Sequence, residues 1–184
     1  MVGPVGVVSP QLMWDMADVL QAQKAPSSQE EAEQGGGVEA LAAALVAMAA
    51  YADELRLAAH LGHFNVEGSN FLSLHKFLED QYKAHTAEFD TLLELVRSMD
   101  FFAPKCRPCL QGALGREFIH PQSVDTREIL VCYYRNLEAY GMAAKELGRL
   151  AKDTNAPDVE NYAAELVGSA FKGSWFAKSL LRGG

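Results

Sequence analysis

The stretch that decides the fold is Leu57–Met99, LAAHLGHFNVEGSNFLSLHKFLEDQYKAHTAEFDTLLELVRSM. It begins at the end of one helical repeat, breaks at Val66-Glu67-Gly68-Ser69-Asn70, and resumes as a second repeat. The second runs from Ser69 or Asn70 to about Ser98 without a proline or glycine, which predicts a long bundle helix. Upstream, Leu41, Leu45, Met48, Ala52, Leu55 and Ala59 recur at helical spacing and give one apolar stripe. Helix A is therefore expected over 38–65 and helix B over about 70–98. A short turn between two such helices makes an antiparallel hairpin.

Working outward, Asp100–Gln122 is broken by Pro104, Pro108, Gly112, Gly115 and Pro121. It predicts a long connection carrying one short helix. Helix C is expected from Asp125 to about Lys152, with Ile129, Tyr133, Leu137, Tyr140 and Leu147 on its apolar face. The turn DTNAP leads into helix D, from about Pro157 to Leu181, with Tyr162, Leu166, Phe171, Trp175 and Leu180. No segment reads as a strand. Short links join A to B and C to D, and a long one joins B to C. This is an all-α, ferritin-like four-helix bundle with a long B–C crossover, expected over residues 38–184.

Residues 1–37 differ in character. They hold one lysine against five acidic side chains. Ala25–Gly37, APSSQEEAEQGGG, is small and polar and predicts a flexible linker. Before it, Ser9 suits an N-cap and Pro10 the first helical position. Leu12, Met13, Met16, Val19 and Leu20 then predict a short tethered amphipathic helix over 9–23, packed on its own chain or docked on a protein partner.

The chain has 184 residues and a net charge of −8, which gives it no overall electrostatic attraction to nucleic acid. Three cysteines are too few, and the wrong parity, for a scaffold built on disulfides. The uncharged run Ala40–Ala52 is too short to cross a bilayer. The N-terminus MVGPVGVVSP lacks a basic flank and a cleavage site, so the expected compartment is the cytoplasm.

The polar residues of A and B form a pattern. His63 lies just before the turn and His75 just after it, so an antiparallel hairpin brings them level. Glu79 follows His75 by four residues on the same helix face, and Asp90 and Glu94 repeat that spacing further on. Two imidazoles and three carboxylates suit iron or manganese, and zinc less specifically. His75 and Asp90 are fifteen residues apart, about 22 Å along a helix, so one centre cannot use both from one chain. Two copies of helix B packed antiparallel about a two-fold axis would bring His63, His75 and Glu79 of one chain to Asp90 and Glu94 of the other. The operator then makes two equivalent sites.

This segment resembles the Dps proteins, the mini-ferritins. Their pattern of a His-Trp-Asn-x-x-Gly turn, a Leu-His pair, an Asp and an Asp-x-x-x-Glu is matched by His63-Phe64-Asn65 with Gly68, by Leu74-His75, by Glu79 in place of the Asp, and by Asp90 with Glu94. The C-terminal KGSWFAKSLL, Lys172–Leu181, is similar to the family's final helix. The resemblance implies an inter-subunit di-iron ferroxidase site in a hollow shell of twelve subunits, with Glu94 as the bridging carboxylate. It implies Fe(II) as substrate, hydrogen peroxide or O2 as oxidant, and protection from peroxide stress. Three departures stand out. Phe64 replaces the usual Trp, Glu79 replaces Asp, and the tail is acidic where DNA-binding members have basic termini, so DNA binding through it is not expected. They keep open an alternative: a ferritin-fold structural or docking protein with weak or no turnover, working through its N-terminal helix.

Other candidates are weaker. Glu117-Phe118-Ile119-His120 is one Glu-x-x-His, outside the long helices. His60 suits an interface or supporting position, and His85 a structural one. Cys106-Arg107-Pro108-Cys109 is open to three readings: half of a zinc site, a redox pair, or two plain thiols. Cys132 is expected in the core. Asp158 and Glu160 fit an acidic pore, implied by the resemblance, equally with an ordinary helix N-terminus.

Overall fold

The computed structural model describes the backbone of residues 29–182 and the side chains of residues 37–182. Among these residues there are five helices and no strand: α1 Gln29–Asn65, α2 Phe71–Ser98, α3 Arg107–Gly112, α4 Thr126–Asp153 and α5 Pro157–Arg182. The four long ones are helices A to D, and α3 is the short helix expected in the crossover. Gly37–Gly184 forms one compact unit. The helix expected over 9–23 lies outside the described residues.

One boundary differs. The sequence puts a flexible linker at Ala25–Gly37, yet α1 already runs from Gln29. Glu30, Glu31, Ala32, Glu33 and Gln34 are all strong helix formers, and they carry helical backbone into the three glycines.

The stripe read from α1 is the stripe that is buried: Leu41, Leu45, Met48, Ala52, Leu55 and Ala59 all lie in the core. They pack with Leu74, Leu78, Leu92 and Val96 of α2, and with Leu130, Tyr133, Leu137, Tyr140 and Leu147 of α4. On α5 the buried face is rotated from the expected one. Val159, Ala163, Leu166, Ala170, Gly173 and Ala177 face inward, while Trp175 is 60% exposed. Small residues win there because the helices approach closely. A Cβ on Gly173 would sit 2.8 Å from the Gln81 side chain, and one on Gly141 of α4 would sit 2.9 Å from the Phe171 ring.

The crossover has a topological reason. Glu67, in the α1–α2 turn, donates its backbone N–H to Thr126 Oγ1 at the start of α4, 2.9 Å away. So α4 begins at the end of the bundle where α2 begins. The chain leaving α2 must return the length of a 28-residue helix, about 42 Å, before α4 can start. It is held along the way by Asn136, whose amide accepts from the Ile119 N–H at 3.0 Å and donates to the Ile119 carbonyl at 2.8 Å. Phe118 packs edge-on against Tyr51. At the entry to α4, Asp125 accepts from the Glu128 N–H and caps the helix. In the α1–α2 turn, Gly68 has φ +100°, a conformation that favours glycine.

Candidate metal centre

His63 occupies the last turn of α1 and His75 the second turn of α2, so the hairpin sets them side by side. Their rings stack with centroids 3.6 Å apart and 24° between planes. Each is locked by the other's backbone. His63 Nδ1 lies 2.9 Å from the His75 carbonyl oxygen, and His75 Nδ1 lies 2.9 Å from the His63 carbonyl oxygen. A carbonyl can only accept, so each Nδ1 carries the proton and donates it. In the neutral ring each Nε2 then carries the lone pair and can offer it to a metal. Both residues are half-buried.

The surroundings are mostly aromatic. Phe71 packs 5.1 Å from His75, and Phe64 5.2 Å from His63. His60 lies on the same side, 4.2 Å from Tyr82, whose ring in turn meets His63 edge-on. It supports the imidazoles and touches no carboxylate among the described side chains. Phe64 is 69% and Leu72 78% exposed, so the hairpin end carries an apolar rim.

Glu79 stands on the same face of α2 but is held by cations. Lys76 contacts one carboxylate oxygen at 3.2 Å, and Lys83 contacts the other. Hydrogen bonds from these two ammonium groups push the Glu79 carboxyl down to about 2. Asp90 and Glu94 lie further along the same continuous helix, both exposed, and neither joins an ion pair among the described residues. The structure thus brings His63 and His75 together, leaves Glu79 one turn further along α2 in the hands of Lys76 and Lys83, and leaves Asp90 and Glu94 apart within one chain. Among the described residues, no group of three or more His, Cys, Asp or Glu side chains gathers to hold a metal ion.

The bundle interior holds a polar cluster that the sequence reading did not single out. His85 is 2% exposed, with Nδ1 2.7 Å from Glu88 Oε2 and Nε2 2.9 Å from the Tyr133 hydroxyl. Ser169 donates to Glu88 Oε1, and Tyr133 also reaches Gln81. Burial, with the Glu88 carboxylate close by, raises the Tyr133 hydroxyl well above its usual range. His85 is structural, as its isolated position suggested. Glu88 was the missed partner, and its i, i+3 spacing from His85 was the available signal.

The remaining candidates sort by position. Glu117 and His120 sit in irregular, exposed chain and face no bundle interior. Cys106 and Cys109 are joined by a disulfide, which sets aside both the zinc and the plain-thiol readings. Cys132 is buried. Asp158 and Glu160 occupy the first turn of α5. No described helix is long and apolar enough to cross a membrane.

Comparison with known proteins agrees with this architecture. A family model for the ferritin-like domain matches residues 42–183. No curated protein sequence matches the chain. Among solved structures, Dps from Thermosynechococcus elongatus superposes with a TM-score of 0.76 at 19% identity, covering 81% of this chain and 94% of that one. The antigen TpF1 of Treponema pallidum gives 0.74 at 19%, covering 86% and 99%. A Dps protein of Vibrio cholerae, described as a member of a broad superfamily of ferritin-like diiron-carboxylate proteins, gives 0.72 at 19%, covering 79% and 91%. The chain belongs to the ferritin-like domain family, and its fold is that of the Dps proteins.

Proposed function

We propose that two copies of this chain, packed antiparallel through α1 and α2, bind Fe(II) and oxidise it to Fe(III) at two equivalent inter-subunit sites. The observation that carries the reading is the reciprocal locking of His63 and His75, which presents two adjacent Nε2 lone pairs and holds both tautomers. His63, His75 and Glu79 of one chain and Asp90 and Glu94 of the other form the donor set, with Glu94 bridging. Two neutral nitrogens favour Fe(II) entry, and three carboxylates offset the added charge of Fe(III). The substrate balance is two Fe(II) and one hydrogen peroxide, with two protons, giving two Fe(III) and two waters; O2 is the other oxidant. The apolar rim of Phe64 and Leu72 suits burial against a second copy. Twelve such chains would enclose a cavity where ferric product collects, in the cytoplasm, protecting the cell from peroxide stress. Zinc or manganese would occupy the same donors. The acidic stretch 1–37 gives no electrostatic attraction to DNA.

The test is anaerobic Fe(II) binding followed by peroxide, reading ferric absorbance in the wild type and in Asp90→Ala/Glu94→Ala. The double variant should lose rapid oxidation; if it oxidises iron at the wild-type rate, the site is wrong. A second reading, a ferritin-fold scaffold with weak turnover, is favoured by one feature. Lys76 and Lys83 occupy the Glu79 oxygens that a metal would need. Slow oxidation in the wild type, rescued by Lys76→Met/Lys83→Met, would favour it.

A further inference from the structure

We propose that Cys106–Cys109 is a redox-active couple that exchanges disulfide for dithiol with external thiols. The proposal stands apart from the iron reading, and its test uses no iron.

The bond ties together almost nothing. It joins the N-cap of α3 to a residue inside the same six-residue helix, with only Arg107 and Pro108 between. A loop this short takes the least entropy from the unfolded chain, so it adds little as a staple. Nor does it bridge two elements of the bundle, whose core is already complete without it. Both cysteines are exposed, where an incoming sulfur can reach them.

The surroundings favour exchange. Pro108 fixes the turn in either redox state, so the two sulfurs stay within reach of each other after reduction. The Cys109 N–H donates to Cys106 Sγ at 3.3 Å, a bond that strengthens when that sulfur becomes a thiolate. Lys105 and Arg107 line the same groove as Cys106 and outnumber its one carboxylate, Asp53, a balance that also favours the thiolate. Cys106 further lines an open groove of about 350 Å³ with Pro104, Leu110, Phe89 and Leu93, room for an approaching thiol.

The chemistry balances on these two sulfurs. The Cys106 thiolate attacks a disulfide RSSR, forming a mixed disulfide and releasing one thiolate. The Cys109 thiolate then attacks Cys106 Sγ, restoring the Cys106–Cys109 bond and releasing the second. Two electrons and two protons pass to RSSR, giving two RSH. A thiol reductant runs the sequence backwards. The class of co-substrate is therefore a thiol or dithiol and its disulfide.

The test places the full chain in glutathione buffers of rising reduced-to-oxidised ratio, alkylates, and reads each cysteine by mass spectrometry. The expected result is that tags on Cys106 and Cys109 rise together, cross half-reduction within the series, and fall again when glutathione disulfide is added. With glutathione disulfide alone, Cys109→Ser should gather a mixed disulfide on Cys106 about tenfold faster than Cys106→Ser gathers one on Cys109, given the flanking cations. Either a pair that stays oxidised throughout, or two cysteines that tag independently, overturns the proposal. Equal rates in the single variants overturn the role given to Cys106. A Cys106→Ser/Cys109→Ser chain should melt at nearly the wild-type temperature; a large loss would mark a structural staple and overturn it too.

Discussion

Two histidine clusters of the α1–α2 hairpin end in opposite conditions. His85, mid-way along α2, has both ring nitrogens occupied, by Glu88 and by Tyr133, and is sealed in the bundle. His63 and His75, at the hairpin end, spend one nitrogen each on a backbone carbonyl and keep the other. The interior cluster is closed within one chain and serves stability. The outer one is positioned with free ring nitrogens, and in the proposed site a second copy supplies the carboxylates. Saturation, more than residue type, separates the core histidine from the proposed ligands here.

The sharpest way to break this contrast is to divide the proposed site between chains. A His63→Ala/His75→Ala chain and an Asp90→Ala/Glu94→Ala chain should each lose about a hundredfold in peroxide-driven iron oxidation while keeping their helix content. Refolded together in equal amounts, half of the dimers are mixed and each carries one intact site. Activity should therefore recover to about a quarter of wild type under two-fold symmetry. No recovery would show that the ligands come from one chain, or that the site lies elsewhere.

The interior cluster should answer in stability rather than turnover. Glu88→Ala leaves the His85 Nδ1 and the Ser169 hydroxyl without their buried partner, and should cost about 3 kcal/mol in denaturant unfolding. His85→Leu/Glu88→Met removes both polar ends and should cost less than Glu88→Ala alone. If the single change costs nothing, the cluster is not sealed as described. Close packing nearby gives a smaller effect. Gly141→Ala pushes a methyl against the Phe171 ring and should cost about 1–3 kcal/mol, with no change in the iron reaction beyond that explained by stability.

The smallest effect concerns Glu79. Lys76 and Lys83 hold its carboxyl at about 2, below the unfolded value. The ionised form therefore favours the folded state above about pH 4.5, and that favour fades as pH falls towards 2. A carboxyl-carbon NMR titration should find Glu79 ionised at pH 3. In Lys76→Met/Lys83→Met its midpoint should move up towards the ordinary glutamate range. Fe(II) binding should strengthen a few-fold in that variant, since the carboxylate no longer has to leave two ammonium groups.

Much of this was readable from residues alone, for physical reasons that differ by element. The stripe of α1 was legible because large apolar side chains at helical spacing have one place to go. The α5 face was not, because close contact there selects Gly and Ala, which carry little pattern, and turns Trp175 outward. The start of α1 was not legible because low hydrophobicity says what cannot form a core, and Glu, Ala and Gln make a helix without one. At the hairpin end, the nearness of His63 and His75 followed from antiparallel register. Their mutual hydrogen bonds did not, since a sequence holds no ring orientation. The interior pair was hidden because a His and a Glu three residues apart on a charged helix look the same whether they face water or core.

The crossed bonds between His63 and His75 tie imidazole placement to the splay of the α1–α2 hairpin. If the two helices part by a fraction of an ångström, both links lengthen together and both rings are released to rotate. Ring geometry at that end is thus a gauge of hairpin closure. Anything that clamps the hairpin shut tunes the pair without touching either ring.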